Sequence, residues 1–170
     1  MDGDGDQIWV ADGTYYPGLN RENHFFLANG VALYGGFAGG ETSLTDRDLQ
    51  ANPTILSGAI GDTNDNDNSQ HVLYGYTVDA TAVIDGFIIE KGFSDGTATL
   101  PGGGVYLDGN PVLRNLEIRD NWASSANGGG VYVNGGSPTF ENVTFAGNSA
   151  IGGGGGAYVK TGASLTNVTF

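Results

Sequence analysis

The chain of 170 residues has no cysteine, a single methionine, and only six lysines and arginines against nineteen aspartates and glutamates. Without cysteine there is neither a disulfide framework nor a thiolate metal site. The scarcity of cations leaves a net charge of -13. That balance argues against nucleic acid, whose phosphates need a basic surface, and disfavours anionic membrane surfaces for the same reason. No apolar run approaches the roughly 18 residues that would span a bilayer, so membrane insertion is not expected. The opening Met1-Asp2-Gly3-Asp4-Gly5-Asp6 lacks the basic and apolar regions of a signal peptide, and the chain reads as a mature or excised segment. Strong helix formers are also few, and a glycine recurs every few residues, which disfavours long helices.

What the chain does have is glycine, 31 residues of it, together with eight tyrosines, eight phenylalanines and two tryptophans. Glycine and acidity alone would suit a disordered chain. The aromatic content and the short alternating runs of Val, Ile and Leu instead predict an all-β protein of short strands.

An internal repeat decides the expected architecture. Gly102-Gly103-Gly104-Val105-Tyr106-Leu107, Gly128-Gly129-Gly130-Val131-Tyr132-Val133 and Gly154-Gly155-Gly156-Ala157-Tyr158-Val159 each begin 26 residues after the previous copy. A second unit lies between them: Pro111 to Ile118, Pro138 to Phe145 and Ala163 to Phe170, with offsets of 27 and then 25. Within each copy, apolar residues alternate with polar ones on either side of a shared asparagine, giving a half-buried strand with a bend where the phase breaks. About three short strands and three bends per period cannot bury an apolar face alone and must stack on neighbours. Stacked parallel turns rise by about 4.8 Å. The prediction is a right-handed single-stranded parallel β-helix, with 25–27 residues per regular coil.

The columns of this stack can be named. Leu113, Phe140 and Leu165 are expected inside, as are Leu116, Val143, Val168 and Ile118, Phe145, Phe170. Asn115, Asn142 and Asn167 are expected to form a structural amide ladder at one bend, and Asn121 with Asn148 a second. Outside, Arg114 is expected opposite Glu141 as a cross-strand ion pair. Tyr106, Tyr132 and Tyr158 would make an outward aromatic row if Val105 and Val131 point in. Residues 1–80, with turn-rich stretches at 38–52 and 61–70, read as earlier coils carrying long loops. Residues 81–170 read as the regular coils, in one continuous domain that looks truncated at its C-terminal end.

The segments Phe145-Ala146-Gly147-Asn148 and Gly154-Gly155-Gly156-Ala157 are similar to the FxxN and GGA[ILV] repeats of chlamydial polymorphic outer membrane proteins. Residues 102–170 resemble the pectin-lyase-like β-helix repeats of bacterial surface proteins. The first half, with Asp6 to Tyr15 and Val31 to Gly39, looks like the opening coils of large secreted β-helix proteins. The resemblance implies the β-helix fold, a secreted or cell-surface location, and a cap and further coils outside this sequence. It leaves function open, because the fold hosts lyases, hydrolases, adhesins and passenger domains.

Candidate chemistry is sparse. A polysaccharide lyase needs a basic residue and a cation, but Lys91, Lys160 and four arginines form no recognisable constellation, and Lys91 beside Glu90 reads as a solvated pair. A glycoside hydrolase needs clustered carboxylates, and Asp79 with Asp85 need not converge. His24 and His71 read as strand-end residues. Asp62, Asp65 and Asp67, and separately Asp2, Asp4 and Asp6, supply hard oxygen ligands, so Ca²⁺ is the one cofactor suggested, although neither stretch completes an EF-hand. Asn142-Val143-Thr144 and Asn167-Val168-Thr169 match the glycosylation pattern but are read as structural, and Glu117 breaks the threonine row an ice-binding face would need. The expected function is a non-catalytic module of a secreted or cell-surface protein, contacting an extracellular glycan or a neighbouring surface, with Tyr106, Tyr132 and Tyr158 as the glycan-stacking row. A structural subunit self-associating head to tail through open coil ends, and a lyase- or hydrolase-like enzyme, are the alternatives.

Overall fold

A computed structural model describes residues 5–61, 65–96 and 101–170. Among these residues the chain is all-β, with short 3-10 turns at Leu44–Asp46 and Asp65–Asp67 as its helical elements. Its strands lie in three sheets, of nine, five and three strands, and the pairings between them are parallel.

The largest sheet is built of rows. Two strands of eight residues, Val112–Arg119 and Thr139–Ala146, pair along their length, with Leu113 opposite Phe140, Leu116 opposite Val143 and Ile118 opposite Phe145. The next row, Ser164–Thr169, continues this register with Leu165 opposite Phe140 and Val168 opposite Val143. On the other side of Val112–Arg119, one row is split into Val83–Asp85 and Phe87–Glu90, which both pair along the same long strand. Earlier rows are Val31–Phe37 with Thr54–Ser57, and Asp6–Ala11 with Gly13–Tyr15. The second sheet stacks Phe25–Phe26, Leu73–Val78, Val105–Gly109, Val131–Gly135 and Ala157–Val159. The third stacks the two-residue strands Phe93–Ser94, Trp122–Ala123 and Ser149–Ala150.

Alternation explains this arrangement. Leu113, Leu116 and Ile118 are buried while Arg114, Glu117 and Arg119 between them stay partly open. One core runs through the rows, and Ile84, Leu113, Phe140, Leu73, Val105 and Val131 are almost fully buried within it. Each such side chain contributes about 1.5–3 kcal/mol of transfer free energy.

The glycine triplets are where backbone packs on backbone. Gly103 N–H donates to Gly128 O at 3.0 Å and Gly129 N–H to Gly154 O at 3.1 Å, so the triplets stack upon one another. A Cβ on Gly103 would lie 2.5 Å from Trp122 O, which only glycine avoids.

Candidate functional site

The bend of the largest sheet carries a row of left-handed residues. Asn115, Asn142 and Asn167 have φ of 52°, 54° and 53°, and the row above holds Gly86 at 84° in the same place. Asparagine tolerates this conformation better than other non-glycine residues. Its side chain is then free to bond along the stack. Asn167 Nδ2 donates to Asn142 Oδ1 at 2.8 Å, Asn142 Nδ2 to Asn115 Oδ1 at 3.0 Å, and Asn115 Nδ2 to Asp85 Oδ1 at 2.8 Å. All three amides therefore point the same way and end on a carboxylate.

Asp85 is a hub. It is 3% exposed and also takes Arg47 at 2.8 Å and Arg114 at 2.9 Å. Arg47 comes from the loop between Phe37 and Thr54, whose 3-10 turn is held by a capping box between Ser43 and Asp46. Its guanidinium also donates to Gly35 O and Asp85 O and lies 5.4 Å from the Tyr34 ring. Arg114 is expected to pair with Glu141. The two are in register, but Arg114 turns to Asp85 instead, because that carboxylate is buried and its charge is worth more in low dielectric. Asp79 does not join Asp85; its Oδ1 accepts from the Thr81 backbone and hydroxyl.

The same loop walls a groove of about 240 Å³ on the outer side of the sheet, with Leu49 and Pro53 on one side and Ile88, Asn115 and Glu117 on the other. Further along the strands, Glu90 bonds Arg119 at 2.8 Å rather than standing as a solvated pair with Lys91. Lys91 and Asp120 occupy equivalent bend positions with φ of 61° and 51°, left-handed values that aspartate tolerates and lysine rarely adopts. With Asn68, Gly92, Phe93 and Trp122 they line a small hollow of about 40 Å³. Trp122 is 39% exposed there and packs 5.0 Å from Phe93, behind which stands Arg21. The Glu90–Arg119–Glu117 ion pairs stand on the strands between groove and hollow, before the bend at Lys91 and Asp120.

The tyrosine row stacks, yet it is not an open face. Tyr74, Tyr106, Tyr132 and Tyr158 follow one another at 5.1, 6.0 and 5.4 Å between ring centroids. Val105 and Val131 do point inward, but Tyr106 and Tyr132 are only 4% and 7% exposed. The glycine corners lie against the rings: a Cβ on Gly102 would sit 3.0 Å from Tyr132 Cβ, and one on Gly153 3.3 Å from the Tyr158 ring. The ring faces are taken by neighbouring rings, so Tyr106 and Tyr132 have none free to stack on a sugar. Burial, with help from Tyr74 and Asp108, pushes the Tyr106 hydroxyl up to about 12.

His24 and His71 are brought to the same end of that row, 6.4 Å apart, with Tyr74 4.7 Å from His24. Burial lowers His71 to about 4 against the opposing hydrogen bond between Nδ1 and Gly102 O at 2.5 Å. Burial lowers His24 as well.

Of the expected calcium ligands, Asp2, Asp4 and Asp62 lie outside the described residues. Asp6 starts an exposed strand, and Asp65 and Asp67 lie in the second 3-10 turn. Among the described residues no group of three or more His, Asp or Glu is disposed to hold a metal. The second asparagine bend joins backbone to side chain: Asn121 Nδ2 donates to Asn148 Oδ1 at 3.0 Å and to Ile89 O, and Asn121 Oδ1 accepts from Gly92 N.

Comparison of the chain with models of known protein families, with curated proteins and with solved structures finds no match.

Proposed function

We propose that the chain winds as a right-handed parallel β-helix of the pectin-lyase-like type and serves as a non-catalytic glycan-contact module of a secreted or cell-surface protein. Three features support a helix over a closed barrel. The rows at 6–11 and 164–169 lie at opposite ends of the largest sheet, whereas a barrel would pair first with last. In the later rows, residues spaced by about one repeat face each other in all three sheets. The side-chain columns run the length of the stack.

The single observation that carries the glycan reading is Trp122, an exposed indole beside Lys91 and Asp120. Indole faces stack on sugar rings, and flanking charged groups bond hydroxyls. The groove at Ile88, Asn115 and Glu117, on the largest sheet before the bend at Asp120, offers room for neighbouring sugar units. A net charge of -13 repels strongly anionic polymers and favours neutral or amino-bearing glycans. A glycan array read with the wild-type chain and with Trp122→Ala tests this. Binding lost in the variant supports the reading; no binding above background by the wild type ends it.

A further inference from the structure

In the second sheet, three outward residues from successive rows meet in a line. Lys160 Nζ donates to Asn134 Oδ1 at 3.0 Å, and Asn134 Nδ2 donates to Asp108 Oδ2 at 2.8 Å. The carboxamide can stand only one way round, since an ammonium only donates and a carboxylate only accepts. Two local features place it. The pairing slips by one residue, with Leu107 opposite Val133 but Asp108 opposite Gly135, so Asn134 is the extra residue of a bulge, a device that re-aims a side chain. Gly135 then makes room for the carboxylate, because a Cβ there would lie 2.7 Å from Asp108 Oδ1.

We propose that Lys160 and Asn134 are a site of spontaneous isopeptide formation assisted by Asp108. An amine touching a carboxamide, with a carboxylate on the amide's nitrogen side, brings the nucleophile and a proton relay for the departing nitrogen to one amide. Lys160 attacks as the free amine, and Nζ–Cγ forms at Asn134 as the carbonyl π electrons move to Oδ1. The attacking nitrogen sheds its proton to solvent, and Asp108, hydrogen-bonded to Nδ2, relays a proton from water to that departing nitrogen. The Cγ–Nδ2 bond then breaks and ammonia leaves. Amine plus primary amide gives secondary amide plus ammonia, with no oxidant, metal or nucleotide. Proximity supplies the rate, since Nζ already lies 3.0 Å from the oxygen of the carbonyl it attacks, within one folded chain. The bond would tie two adjacent rows of the sheet outside the core, and it goes beyond the glycan reading, on which it does not depend.

The test is intact mass spectrometry of the full chain during incubation from neutral to mildly alkaline pH, followed by proteolysis. The wild type is expected to lose one ammonia, faster as pH rises, and to yield a branched peptide joining Lys160 to Asn134. Lys160→Arg, an exposed change that leaves the core alone, should abolish the loss. Asp108→Asn should slow it by roughly a hundredfold, with thermal unfolding checked to establish that the variant is folded. An unchanged wild-type mass overturns the proposal. So does ammonia loss that persists in Lys160→Arg, which would mean cyclisation at Asn134-Gly135, or conversion of Asn134 to the acid alone.

Discussion

Asn115 donates to Asp85 Oδ1 at 2.8 Å, and this bond terminates a row of three amides that all point toward the same carboxylate. A chain of aligned hydrogen bonds polarises itself, and its acceptor end is the favourable place for a buried negative charge. The relationship joins two parts of the molecule: the regular rows below, and above them the loop that sends Arg47 to the other side of Asp85.

Replacing Asn142 by Ala removes bonds to both neighbours and leaves a non-glycine residue in left-handed backbone. A loss of about 2 kcal/mol is expected in urea unfolding, from two side-chain hydrogen bonds near 1 kcal/mol each. Asn142→Gly relieves the backbone term and should recover part of the loss. Asn167→Ala, which removes one bond at the end of the row, should cost about half as much.

Asp85→Ala leaves Arg47 and Arg114 facing each other with no anion between them. Removing one partner of a buried pair costs about 3–5 kcal/mol, and a thermal melt should place this variant well below Arg114→Ala, whose guanidinium is the more open of the two.

Phe140 is 1% exposed and stands in the column between Leu113 and Leu165. Phe140→Ala should destabilise by about 3–5 kcal/mol, whereas Leu165→Ala, at a half-exposed position, should cost much less. Equal costs in denaturant titrations would mean that the column is not the core.

His71 gives the acid dependence a sign. Its native value near 4 lies below the ordinary 6.5 because burial disfavours the imidazolium, so the unfolded chain binds the extra proton first. The stability held by the neutral ring is complete above pH 6.5 and is lost as pH falls toward 4, up to roughly 3 kcal/mol. His71→Phe should flatten that part of the stability-against-pH curve.

The register of the later rows is legible in the sequence because it is written in two periods at once. Alternation sets which residues face inward, and the 25–27 residue spacing sets which residues meet, as Leu113, Phe140 and Leu165 do. Two things are not legible. Arg47 reaches Asp85 across 38 positions from a loop with no periodicity, so nothing in the spacing of either residue announces the other. The tyrosine row could be read as a column but not as a covered one, since its burial comes from glycine corners whose lack of side chains is what lets them close over the rings. Trp122, in a strand of two residues, has no pattern around it; only its exposed place beside Lys91 and Asp120 marks it.

The arrangement of one repeat per row is tested most directly by paired cysteines in a chain that has none of its own. Glu117, Thr144 and Thr169 face outward in consecutive rows, with Glu117 opposite Thr144 and Thr144 opposite Thr169. Neighbouring rows are about 4.8 Å apart, within disulfide reach, and alternate rows at about twice that are beyond it. Under mild oxidation Glu117→Cys with Thr144→Cys, and Thr144→Cys with Thr169→Cys, should each form an intramolecular bond. Glu117→Cys with Thr169→Cys should form none. A bond in that last pair, or none in the first two, would contradict the account.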